Sequence, residues 1–94
     1  MRMYAVLKVT TLAANVSLTQ STITLASGTH LPTLDTGEYL IVLVNDRFKT
    51  EIMHCTAIAG AVLTVVRGQK DDKIYNFTSG DYVQISIDPE GFEF

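Results

Sequence analysis

Branching at Cβ constrains this chain more than any other feature. Thr, Val and Ile supply 28 of its 94 residues, and such side chains suit a pleated, half-buried surface better than a helix. No window of a dozen residues carries apolar positions at helical spacing without a Gly, an Asn or a Thr cluster breaking the pattern. Alternation is the better template. It predicts strands over residues 4–11, 17–26, 38–44, 48–58, 61–66 and 81–88, with Val6 and Leu7 on opposite faces. The third is nearly all apolar and is expected to be covered on both sides. Turn signals separate the runs: Gly28 and Pro32, Asn45-Asp46, Ala59-Gly60, Arg67-Gly68, and Asp88-Pro89-Glu90-Gly91. The expected fold class is therefore all-β, a small antiparallel β-sandwich or barrel of six or seven strands.

Length confines this to a single β-domain over residues 1–94, with 88–94 as a docking tail. Hydrophobic residues at 47% against 18% charged are enough for a core. A net charge of −3 argues against sequence-independent binding to nucleic acid and against an anionic membrane surface. The longest wholly apolar run, 40–44, is five residues, far below the ~20 of a spanning helix. Lys8, Thr10 and Thr11 interrupt the amino-terminal segment too early for a signal peptide, so the chain is expected to be soluble and made in the cytoplasm. With one cysteine there is no internal disulfide.

Catalytic and metal-binding chemistry finds little support in the residues. His54 and Cys55 are neighbours on a predicted strand and so point to opposite faces, which leaves Cys55 as a small packing residue. His30, near Asp35 in a loop, completes no zinc spacing with them. Asp71 and Asp72, between Lys70 and Lys73, lack the further ligands and the glycine of a calcium loop and read as a solvated tip. No Gly-rich turn precedes a helix, and no Ser sits in a nucleophile elbow. The expectation is no enzyme, no cofactor, no metal and no small-molecule substrate. An uncharged segment over 17–26 reads as an open sheet edge, with Lys8, Lys49 and Glu51 guarding other edges. At the other end, Phe92 and Phe94 flank Glu93 beyond the last strand. That pattern suits either docking on a neighbouring subunit or a frayed terminus.

The run Leu63-Thr64-Val65-Val66-Arg67-Gly68-Gln69, with the Glu51-led strand before it, resembles a module of tailed-bacteriophage virion proteins. In that module a Glu-led strand pairs with a Gly-turned hairpin ending in Leu-Thr-Val, any residue, Arg-Gly-Gln. The likeness covers roughly residues 17–80 and departs after Gln69, where Lys70-Asp71-Asp72 replaces the usual acidic-Gly-Thr. Arg67 is expected to present its planar fork to Glu51 on the paired strand, and Gly68 to take a positive φ. The resemblance implies a non-enzymatic virion structural protein, assembled in the host cytoplasm as a homo-oligomer with other virion proteins. A tail position, fibre-attachment or baseplate, is the first expectation, and a capsid decoration protein the alternative. From a different class comes an oligonucleotide-binding β-barrel.

Overall fold

A computed structural model describes residues 5–29, 31–70 and 73–87. Six strands follow in chain order: β1 (Ala5–Thr11), β2 (Thr22–Thr24), β3 (Leu40–Asn45), β4 (Thr50–Ala59), β5 (Val62–Val66) and β6 (Tyr82–Ile87). All pair antiparallel in one sheet of order β1-β6-β3-β4-β5-β2. The chain is thus a small all-β domain, as alternation predicts. The 88–94 segment, with Phe92 and Phe94, and also His30, Asp71 and Asp72 lie outside the described residues.

Period-two burial sets the register. In β3, Leu40, Val42 and Val44 are buried while Ile41, Leu43 and Asn45 are half-buried. One side therefore faces the core and the other is only partly covered, where the sequence suggests cover on both. Val83, Ile85 and Ile87 of β6, Met53 and Cys55 of β4, and Leu63 and Val65 of β5 share the inward side. Register shifts between Val6 and Lys8, and between Cys55 and Ala57, insert bulges that bend β1 and β4.

Individual main-chain bonds also link the carboxy-terminal end of β1 to that of β2. The Ala13 amide donates to the Thr24 carbonyl and the Ala26 amide to the Thr11 carbonyl, both at 2.8 Å. Leu12 and Leu25 form an isolated bridge, and Val16 and Phe77 exchange two bonds of 2.9 Å. Segment 17–26, expected as one long open strand, is divided. Only Thr22–Thr24 is a strand, and it is paired on β5. Residues 17–20 are instead a turn, and Gln20 bonds both the Ser17 amide and the Thr22 carbonyl. Glu51 guards no edge. It is 1% exposed on the inward side of β4.

Gly28 lets its own backbone lie against the β4–β5 turn. A Cβ there would stand 2.5 Å from the Gly60 carbonyl oxygen and 2.6 Å from the Ala61 Cα. Only a residue without a side chain permits that approach.

Candidate functional site

Glu51 is the one charged side chain fully buried among the described residues. Alternation along β4 aims it inward with Met53 and Cys55. Arg67 follows the last residue of β5, where the paired register returns the chain beside Glu51. Arg67 Nε donates to Glu51 Oε2 at 2.7 Å and Nη2 to Oε1 at 2.9 Å, the bidentate fork expected of the pair.

Their remaining capacity is spent on backbone. Arg67 Nη1 donates to the Ser17 and Gln20 carbonyls, both at 2.8 Å, and Nη2 to the Tyr75 carbonyl at 2.6 Å. All the donors of a guanidinium are then engaged. Glu51 Oε2 also accepts from the Gly68 amide at 3.2 Å, and Oε1 from the Tyr75 amide at 2.9 Å. Gly68 holds φ at 66°, which turns its amide back toward β4. Next along, the Gln69 amide donates to the Ile52 carbonyl at 2.9 Å. The pair therefore ties the 17–20 turn, the 67–69 turn and the 73–77 segment to β4.

Burial alone pushes the Glu51 carboxyl up, but the Arg67 side chain and the Tyr75 and Gly68 amides outweigh it. The carboxyl is held below its ordinary value. A carboxylate that already accepts four bonds has no lone pair left to take a substrate proton or a cation. What this arrangement does chemically is hold three loops in place.

Cys55 and His54 do not meet. Cys55 is fully buried, and burial pushes its thiol up to about 11 although it donates to the Ala57 carbonyl at 3.4 Å. The His54 ring lies on the other face, stacked on Tyr39 at 4.2 Å between centroids. Among the described residues no three His, Cys, Asp or Glu side chains are grouped to hold a metal, and no helix is long and apolar enough to cross a membrane. The contributions of Ser17, Gln20 and Tyr75 carry no signal in the sequence, because each acts through its main chain.

Open clefts remain at the surface. One of about 390 Å³ lies between the 31–34 segment and the bulged part of β4, lined by Leu31, Pro32, Leu34, Thr56 and Ile58. Another of about 380 Å³ lies on the outward sheet face over Ile41, Leu43, Ile52, Gln84 and Ser86. No protein-family model matches this chain, and no curated protein matches it.

Proposed function

We propose that this chain is a non-enzymatic structural protein of a tailed-bacteriophage particle, built as a small closed β-barrel and seated in the tail at a fibre-attachment or baseplate position. The carrying observation is what the Arg-Gly-Gln signature does. Arg67, Gly68 and Gln69 are all committed to β4, with Glu51 at the centre, so the residues behind the resemblance serve the scaffold. The bonds joining Thr11 and Ala13 to Ala26 and Thr24 support the closed reading, and a closed barrel removes the edges through which small β-domains aggregate. Contacts with further copies and with other virion proteins are then made by side chains on the barrel surface. A capsid decoration role uses the same properties, and the particle structure to which the chain attaches distinguishes the two.

A curled sheet is also what oligonucleotide-binding barrels use. Tyr82 stands partly exposed on its outer face, but the outward residues Val9, Gln84, Leu43 and Ile52 in the row beside it offer no cation to a phosphate chain. Filter binding of single strands at low salt separates the readings. A structural protein gives no retention, and retention that falls steeply with salt overturns it.

A further inference from the structure

Phe48 stands 90% exposed at the tip of the β3–β4 hairpin. The turn beneath it is tightly held. The Asp46 amide donates to the Lys49 carbonyl at 3.0 Å, and Asp46 Oδ1 accepts from the Phe48 and Lys49 amides at 2.8 and 3.1 Å. Lys49 Nζ donates to the Asn76 carbonyl and side chain and lies 3.6 Å from Asp46 Oδ2, so its charge is answered within the turn. Arg47 differs. It is exposed, its guanidinium lies 5.9 Å from the Phe48 ring centroid, and no carboxylate pairs with it among the described residues. The tip therefore presents a fixed aromatic ring beside an unpaired cation. A ring so placed can anchor a protein contact at little further cost in ordering.

The complement lies at the other end of the same two strands. A cleft of about 370 Å³ opens where the chain enters β3, lined by Leu34, Asp35, Gly37, Glu38, Tyr39 and Thr56. Leu34 and Tyr39 are half-buried, and the Tyr39 ring stacks on His54 at 4.2 Å between centroids. Its rim is acidic. The 35–38 loop closes on itself, with the Glu38 amide donating to the Asp35 carbonyl at 3.0 Å and the Asp35 amide to Glu38 Oε1 at 2.7 Å. Asp35 is exposed, and its carboxylate meets no cation among the described residues. A cavity of ~150 Å³ accommodates one benzene, so the cleft has room for a phenylalanine ring. Along β4 the tip adjoins Thr50 and the cleft adjoins Thr56, ~20 Å apart in an extended strand. One chain cannot bring tip and cleft together, but two copies can.

We propose that Phe48 of one copy seats in the Leu34–Tyr39 cleft of a second copy, where Arg47 of the first pairs with Asp35 of the second. Tip and socket are different patches, so the contact is head-to-tail. Each pairing leaves one tip and one socket open, and identical copies add on as a ring or a filament. The contact rests on the tip and the cleft alone, whether or not the copies belong to a virion.

Sedimentation velocity of the isolated chain tests it, with Phe48→Ser as the tip variant and Asp35→Arg as the socket variant. Both replace exposed side chains, and melting temperatures equal to wild type are expected to show that both fold. Wild type is expected to gain mass with concentration and to pass beyond the dimer, while each variant alone stays monomeric. An equimolar mixture of the two variants is expected to give a dimer and nothing larger, because the intact tip of one fits the intact socket of the other. The charge exchange Arg47→Glu/Asp35→Arg, which keeps Phe48, is expected to restore assembly. Wild type that stays monomeric at every concentration overturns the proposal. So does assembly of either single variant at wild-type concentrations, or a mixture of the two that remains monomeric.

Discussion

Replacing Arg67 by Ala tests the physical reasoning most severely, because one substitution undoes a charge pair and three loop attachments. Glu51 keeps only the Gly68 and Tyr75 amides, while the Ser17, Gln20 and Tyr75 carbonyls lose their guanidinium donors. The side chains of Arg67 and Glu51 are 7% and 0% exposed, so solvent screens neither. Removing one partner of such a buried pair costs about 3–5 kcal/mol. That is a large share of the ~5–15 kcal/mol that holds a domain together. At ~4–8 °C per kcal/mol for a chain of this size, the melting temperature is expected to fall by at least ~12 °C. Arg67→Lys keeps the charge without the planar fork and should fall between wild type and Ala. In a double-mutant cycle with Glu51→Leu, the two losses are expected to be strongly non-additive, since the second substitution removes the charge that the first strands. Calorimetry reads all five proteins. A drop of under ~4 °C for Arg67→Ala, or additive losses, would refute the assignment of a coupled buried pair.

Acid should weaken the domain through the same carboxylate. The Glu51 carboxyl sits below its ordinary 4.5 in the folded chain, so its stabilisation is complete above that pH and is lost as pH falls through the lower folded value. Urea midpoints followed from neutral to acid pH should show this loss in wild type and much less of it in Arg67→Ala. Cys55 should resist alkylation at mildly alkaline pH until the protein unfolds, given its burial and a thiol pushed up to about 11; rapid labelling of the native chain would contradict its packing role. Cys55→Ser should cost little more than Cys55→Ala, because the Ala57 carbonyl that accepts from the thiol is placed to accept from a hydroxyl. Gly28→Ala should lower stability by ~1–3 kcal/mol in denaturant titration, the usual cost of forcing a methyl into packed backbone.

Strand content was legible because alternation and burial share a period of two. Val83, Ile85 and Ile87 could be read as one face directly from their spacing. Division of the 17–26 segment was not legible. It depends on Arg67, some fifty residues away, which takes the Ser17 and Gln20 carbonyls and holds residues 17–20 as a turn. Glu51 shows the same limit from the other side. A charge on an alternating strand reads equally well as an edge guard or as a buried partner, and only the return of β5 beside β4 decides between them. Bulges at Val6/Lys8 and Cys55/Ala57 also escape period counting, because a register shift depends on the partner strand as much as on the bulged one.

Quantitative mass spectrometry of purified virions, from cells in which this chain is produced during phage growth, tests the proposed function most directly. A structural protein of a symmetric particle is expected to be present in a fixed, multiple copy number relative to the major tail protein, and to stay with tails when heads are removed. Retention with heads alone would move it to the capsid. Absence from virions, with the chain remaining in the lysate, would contradict the virion reading.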